Sequence, residues 1–345
     1  MLSLPSPEPT AEALADLERL REALDASDIP DKRIDRNLLI ATWNIRAFGA
    51  LTETWASVDG DEPRRDLHAL LLIATIVDRF DVVAIQEVKG NSWAILRLLD
   101  VLGPEWGVIL SDATKGKLGN GERLAFVFDS RRVQPSGLAC ELVLDEDMLA
   151  RKNVRENALR DPAQFARTPY AVSFRSVGTS FTLTTLHVIF GDKSSDRVGE
   201  LSAIAEWIAK WAKDPNDNYN ENLIVLGDFN IENPEDPTFK AFTEHGLRQP
   251  AVLDSAPRTI FDQPGKHHHY DQIAWFEDGG ERALTLDYNA AGFFNFTGTV
   301  LRDLDTQALS WRLSDHIPLW TEFLLPELDP GAETATGTRA AGGGT

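Results

Sequence analysis

Four widely separated apolar runs in this 345-residue chain each stop at a polar side chain able to bind a cation or carry a proton. Leu38-Leu39-Ile40-Ala41-Thr42-Trp43 runs into Asn44, and Asp81-Val82-Val83-Ala84-Ile85-Gln86 runs into Glu87. Phe181-Thr182-Leu183-Thr184-Thr185-Leu186 runs into His187, and Leu223-Ile224-Val225-Leu226-Gly227 runs into Asp228-Phe229-Asn230. Each run has strand length and strand composition, so each is predicted to be a buried strand. Helical spacing precedes two of them: Leu67, Leu70, Leu71, Ala74 and Val77 ahead of Glu87, and Leu201, Ile204, Ala205, Ile208 and Trp211 ahead of Asp228. Strands that alternate with helices and present polar ends constrain the chain to stacked sheets covered by helices, with one site at the strand ends.

The polar ends have recognisable chemistry. A carboxylate at the end of a buried run, such as Glu87, is costly unless it is paired, and a cation or a nearby Lys or Arg answers equally well. Asp228 and Asn230 are two residues apart, which places both on one side of an extended chain. Asp suits water or a hard cation, and Asn can donate to a phosphoryl oxygen. A plain Gly-Asp-x-Asn turn has the same composition, but the apolar run up to Gly227 puts this one at a core edge and favours function. Asp315 and His316 can reach one site only where the chain bends, and Pro318 after Ile317 supports such a bend. With His187, Asp271 and Glu122 they suggest two His–carboxylate pairs, in which the carboxylate fixes the imidazole tautomer and raises its pKa. Two satisfied core histidines are the alternative for either His taken singly.

As an ordered set, Trp-Asn44-Ile, Ile-Gln-Glu87-Val, Thr-Leu-His187, Gly227-Asp228-Phe229-Asn230 and Ser314-Asp315-His316 resemble the metal-dependent endonuclease/exonuclease/phosphatase superfamily, from about Leu38 to Glu322. The segments GERLAFVF from Gly121, FARTPY from Phe165 and Tyr270-Asp271-Gln272-Ile273 make it look most like the deoxyribonuclease I branch. The resemblance implies an α+β fold: a four-layer αββα sandwich with two central mixed β-sheets. It implies Mg²⁺ or Mn²⁺ held by Glu87 with Asn44 and Asp315, a hard oxygen set without thiolate. Asn230 would hold the scissile phosphate. His187 paired with Glu122, and His316 paired with Asp271, would be the acid/base histidines. Asp228 would orient or deprotonate the attacking water, or share a second cation. Arg167 and Tyr270 match positions that contact the phosphate, and Lys89 stands where the nuclease branch places a groove-contacting Arg. The implied function is a divalent-metal-dependent phosphodiesterase, a sequence-tolerant DNA endonuclease with nucleic acid as its substrate. A phosphatase or phosphodiesterase for a small-molecule or lipid ester is the alternative. A catalytically inactive scaffold is less favoured, because every expected polar residue is retained. A Tyr-Val-Pro-Asn-like segment, usual in the apurinic-site repair branch, is absent.

Charge and composition narrow the partners. A formal net charge of −20 argues against a protein that holds nucleic acid through a broad basic surface, but not against an enzyme that meets a phosphate at one local cation site. No apolar run approaches a membrane span, and the MLSLPSPEPT start has neither the basic nor the apolar part of a leader, so a cytoplasmic protein without membrane contact is expected. Cys140 is the single cysteine, which rules out an intrachain disulfide and favours a reducing compartment. Residues 1–35 read as an N-terminal extension, with a disordered start and an amphipathic helix over 11–25 (Ala13, Leu14, Leu17, Leu20, Leu24). Residues 36–326 read as one catalytic domain, and 327–345 as a flexible Gly/Thr-rich tail. The Thr114–Gly121 loop reads as a Gly-rich hairpin turn ahead of a phosphate cradle, and the charged 141–160 stretch as a solvated face. His267-His268-His269 is a weak candidate for a separate metal site, and Trp55, Trp93 and Trp106 are expected to pack in the core or at its rim.

Overall fold

The computed structural model describes residues 8–114, 119–143, 165–214, 216–263, 265–278, 281–282 and 284–326. Residues 115–118 of the Gly-rich loop, 144–164 of the charged stretch and the 327–345 tail therefore lie outside the described residues, as do 1–7.

Helix α1 (Ala11–Asp25) starts at Thr10, whose hydroxyl accepts from the Ala13 N–H at 3.2 Å. Ala13, Leu17, Leu20 and Leu24 are buried, whereas Leu14 is 45% exposed because it falls outside the stripe that meets the core. The helix packs on α2 (Leu67–Val77), where Asp16 meets His68 at 3.1 Å and accepts from the Leu301 N–H at 3.0 Å. Every residue of α2 is buried, which explains why its sequence has no polar face.

The Asn44 and Glu87 runs become neighbours. β1 (Asn37–Phe48) and β2 (Val82–Lys89) pair in parallel, and α2 lies in the crossover between them. Helix α3 (Trp93–Leu102) follows. With β3 (Trp106–Leu110), β4 (Glu122–Asp129), β12 (Asp287–Phe293) and β13 (Leu319–Leu324) they form a six-stranded mixed sheet in the order β12-β13-β1-β2-β4-β3.

The second sheet takes β5 (Gln134–Glu141), β6 (Tyr170–Ser176), β7 (Thr179–His187), β8 (Leu223–Ile231), β10 (His269–Asp278) and β11 (Glu281–Arg282), in the order β11-β10-β8-β7-β6-β5. The short β9 (Leu247–Arg248) pairs with β10. β7 and β8 are parallel and are joined through α4 (Ser195–Ala212); α5 (Pro237–Thr243) packs beside α4.

Alternation along β1 shows the layering. Leu38 and Ile40 join a core between the sheets with Phe126, Phe174, Phe181 and Ile224, while Leu39, Ala41 and Trp43 join a separate core with α1, α2 and α3. A third core lies under α4 and α5. Helices therefore cover two face-to-face mixed sheets, the four-layer α+β sandwich expected. Near one end the sheets are tied by a buried polar link, in which Gln86 Nε2 donates to Thr185 Oγ1 at 2.9 Å and to Thr42 Oγ1 at 3.1 Å. Trp55 and Trp106 are buried, but Trp93 is 46% exposed. Among the described residues no helix is long and apolar enough to cross a membrane.

Candidate active site

Strand register alone gathers two of the polar ends, with Asp271 beside them. In the β7/β8 ladder His187 lies opposite Asp228, and in the β8/β10 ladder Asp271 lies opposite the same residue. Gly227 makes the close approach of β7 feasible: its φ is 141°, and a Cβ there would meet the Leu186 carbonyl oxygen at 2.1 Å. Three motif-bearing strands, β1, β2 and β8, are bulged at these polar positions, and their pairing resumes beyond. Ala47, Glu87 and Asn230 all have left-handed backbones, with φ of 49°, 61° and 51°. Such conformations are unfavourable for non-glycine residues and persist only where surrounding structure imposes them.

Asp228 is the hub. It is buried, accepts from Asn44 Nδ2 at 3.0 Å and from the Asn230 N–H at 2.9 Å, and faces His187 Nε2 at 3.6 Å and His316 Nε2 at 3.8 Å. Burial opposes its ionisation, but the charges of His316 and His187 and the two donors outweigh it, so its pKa is lowered.

Each imidazole is backed by a carboxylate on its other nitrogen. His187 Nδ1 lies 3.2 Å from Glu122 Oε2, and His316 Nδ1 lies 2.6 Å from Asp271 Oδ2. Glu122 also holds Lys89 at 2.7 Å, Arg167 at 2.5 Å and Asn120 Nδ2 at 2.7 Å. Burial acts against this carboxylate, yet the hydrogen bond and charge of His187, with Arg167 and Lys89, hold it well below its ordinary value. For His316, burial penalises the cation, but Asp271, Asp228 and Asp315 together raise it well above the ordinary histidine value.

His316 reaches the hub from the bend ahead of β13. Its carbonyl accepts from Trp43 Nε1 at 2.9 Å, its N–H donates to Ser314 Oγ at 3.1 Å, and that hydroxyl donates to the Asn44 carbonyl at 2.6 Å. Arg258, fully buried, donates to the Asp271 carbonyl at 2.8 Å, and its own carbonyl accepts from the Ile317 N–H at 2.8 Å.

One expectation needs correction. Asp228 and Asn230 do not share a face of an extended strand. The left-handed Asn230 lies in a bulge between Asp228, opposite Asp271, and Ile231, opposite His269; its N–H caps Asp228 while Nδ2 donates to the Val188 carbonyl at 2.7 Å.

An oxygen-rich edge adjoins the hub. Asn44 Nδ2 also donates to Glu87 Oε1 at 3.3 Å, and Glu87 Oε2 accepts from the Ala47 N–H at 2.8 Å. Asp315 lies 3.4 Å from Arg46. Asn44 Oδ1 and Asp315 Oδ1 are buried without a hydrogen-bond partner among the described residues. Orphaned oxygens beside Glu87 suit a hard cation. Among the described residues no group of three or more His, Cys, Asp or Glu is placed to hold a metal ion, and the donor set here includes the Asn44 amide.

Of the remaining expected residues, Arg167 and Lys89 are drawn to Glu122, and Tyr270 donates to Glu232 Oε2 at 3.3 Å with its ring 6.1 Å from that of His316. Burial and Glu232 push the Tyr270 phenol up, so it stays a donor. The three consecutive histidines part company: His268 pairs with Asp262 at 2.6 Å and stacks on Tyr270, while burial, helped by Arg258, lowers His269 to about 4.

Sequence reasoning missed Arg65. It is fully buried and donates to the carbonyls of Arg46, Ala47, Arg312 and Leu313 at 2.7–3.3 Å, fastening the exit of β1 to the segment that carries Asp315. Burial lowers it to about 10, against the charges of Glu87 and Asp315, so it remains a cation at neutral pH. Only its position in an Arg-Arg-Asp triplet ahead of α2 marked it in sequence.

Glu200 of α4 was missed too. Its carboxyl is buried without a well-formed hydrogen bond, faces the backbone N–H groups of Ile189 and Ala166, and is raised by burial to about 7 despite Arg167. Both folded and unfolded chains carry the proton at low pH. Above 4.5 the unfolded carboxyl ionises while the folded one does not, so stability falls until about pH 7, by about 3 kcal/mol. Glu200→Gln is expected to remove that loss. Denaturation midpoints of the two proteins compared over pH 4–8 should diverge in favour of the variant as pH rises, and parallel profiles would contradict the assignment.

Comparison with known proteins bears on this arrangement. Residues 41–317 match the family model of the Endonuclease/Exonuclease/phosphatase family. A curated relative, the deoxyribonuclease of Thioalkalivibrio sp. (strain K90mix), is 30% identical over 298 residues, covering 83% of this chain and 71% of that protein. Among solved structures, the catalytic domain of human nocturnin with bound sulfate aligns with a TM-score of 0.56 at 16% identity, over 87% of this chain and 98% of that one. A mannosyl-6-phosphatase of Bacteroides thetaiotaomicron VPI-5482 aligns at 0.54 and 17%, over 83% and 99%. At those identities the two structures speak to the fold alone.

Proposed function

Because the chain belongs to the endonuclease/exonuclease/phosphatase family, we propose that it is a divalent-metal-dependent phosphodiesterase that cleaves DNA endonucleolytically with little sequence preference. One observation carries the chemistry: two imidazoles face the same oxygen of the buried Asp228, each backed by its own carboxylate. The relative's name, deoxyribonuclease, supports DNA as the substrate.

In-line attack of water on a phosphodiester requires a proton to leave the water, negative charge to be held on the phosphoryl oxygens, and the leaving oxygen to be protonated. Asp228, kept ionised, accepts a hydrogen bond from the water and orients it. His316, held as a cation by three carboxylates, donates to the phosphoryl or leaving oxygen. His187, fixed by Glu122 on Nδ1, presents Nε2 as the partner acid or base. Arg167, Tyr270 and Asn230 border the same space and supply donors to the phosphate, with Asn230 exchanging its bond to Val188. Lys89 extends positive charge toward the strand. Glu87, with Asn44 Oδ1 and Asp315, would hold the Mg²⁺ or Mn²⁺, which supplies Lewis-acid stabilisation of charge on the phosphate.

The test is incubation with supercoiled plasmid and Mg²⁺. Conversion to nicked circles, abolished by EDTA and restored by excess Mg²⁺, is the expected result. An intact plasmid combined with phosphate release from small esters would overturn the nuclease reading.

A further inference from the structure

A cavity of about 570 Å³ opens beside the oxygen-rich edge, lined by Arg46, Ala47, Pro63, Arg64, Arg65 and Trp311. Its position is fixed by residues already placed in the site. The Ala47 N–H holds Glu87, and Arg46 lies 3.4 Å from Asp315, so the cavity borders the two carboxylates of the candidate cation edge. Its walls are preorganised, because Arg65 fastens the carbonyls of Arg46 and Ala47 on one side to Arg312 and Leu313 on the other. Three guanidiniums line it, with Glu62 as the one lining carboxylate, on a chain whose net charge is −20.

The cavity also has an aromatic platform. Trp311, on α6 (Thr306–Arg312), is 44% exposed, so it is not a core residue. The Arg46 guanidinium lies over its ring at 3.7 Å from the centroid and is fixed by donation to Ser310 Oγ at 2.7 Å. An indole and a guanidinium held together in this way make a flat, cationic surface. Arg64 donates to the Val58 carbonyl at 2.6 Å and lies 3.2 Å from the solvent-exposed Asp59, an ion pair in water that an incoming anion can exchange. The volume lies within the range of small-ligand sites.

A planar ring joined to a phosphate matches both the platform and the cations. We propose that this cavity is a nucleotide subsite, which takes one unpaired base of the substrate strand beside the scissile phosphate and gives the enzyme a preference for unpaired DNA. The proposal rests on the nuclease reading. A base inside an intact duplex has both faces covered by its neighbours, so only a base in a single strand, a frayed end or a flipped position can reach Trp311.

The test separates binding from cleavage. Fluorescein-labelled single-stranded hexathymidylate and the same strand made entirely of base-free tetrahydrofuran sites are titrated with the full chain in EDTA at low ionic strength, and anisotropy is read. Wild type is expected to bind the base-bearing strand about tenfold more tightly, the size of one base–aromatic stack. Trp311→Ala should erase that preference, and Trp311→Phe should keep most of it. Equal affinity of wild type for the two strands, including no binding to either, overturns the proposal without requiring any variant to fold. A preference that survives in Trp311→Ala also overturns it. The plasmid assay with Mg²⁺ reports separately on the nuclease reading.

Discussion

Replacing either His187 or His316 by alanine is expected to lower kcat for phosphodiester hydrolysis by about a thousandfold, within the range seen for loss of a general acid or base. The expectation follows from geometry. Both Nε2 atoms point at Asp228, at 3.6 and 3.8 Å, and both Nδ1 atoms are engaged by carboxylates that fix which nitrogen faces the centre. Alanine removes the proton carrier and also takes positive charge away from the buried Asp228, whose lowered pKa depends first on His316 and then on His187 among the favourable influences. The loss is expected mainly in kcat, as for interactions that strengthen in the transition state. Steady-state kinetics on a plasmid or a small diester measures it, with circular dichroism to show retained folding. A folded variant within about tenfold of wild type would remove that histidine from the reaction.

Glu122→Gln is expected to lose both stability and activity. Glu122 is buried and holds His187, Arg167, Lys89 and Asn120 at once. Neutralising it leaves cations facing an uncharged amide, and removal of one partner from a buried ion pair costs roughly 3–5 kcal/mol. Its folded pKa lies below its ordinary value of 4.5. The stabilisation is therefore present above pH 4.5 and is lost as pH falls below it. The Gln variant should be less stable than wild type at pH 7, and the two should converge as the solution is acidified. Activity should fall by about two orders of magnitude, because the amide can offer its N–H to His187 Nδ1 and select the wrong tautomer. Unchanged unfolding at pH 7 would contradict the role given to this carboxylate.

The elements legible in sequence were those with a strong period or an abrupt chemical change. The β1, β2, β7 and β8 runs were readable because apolar alternation stops at Asn44, Glu87, His187 and Asp228, and α2 and α4 because their spacing is helical. Less legible were features created by tertiary contact. The Asp228–Asn230 pair looked extended because residue spacing carries no sign of the left-handed turn at Asn230. The helix of the N-terminal segment was visible, but its shared core with α2 depends on residues more than forty positions away, such as His68. Arg65 and Glu200 are charged residues in ordinary surroundings by sequence, and only burial reveals that one fastens two strand exits and the other lies under the segments that carry Arg167 and His187. Trp311 carries no distinguishing signal in the sequence, and its platform appears only once Arg46 from β1 is laid over it.

Two histidine–carboxylate pairs that act on one phosphorus centre around Asp228 must be coupled in their effect on rate. A double-mutant cycle on kcat tests it most directly, using wild type, His187→Ala, His316→Ala and the double variant under identical Mg²⁺. Side chains that serve a single reaction step are strongly non-additive. The double variant is expected to be about as slow as the slower single variant. Losses that multiply in the double variant would place the two histidines in independent processes and contradict that coupling.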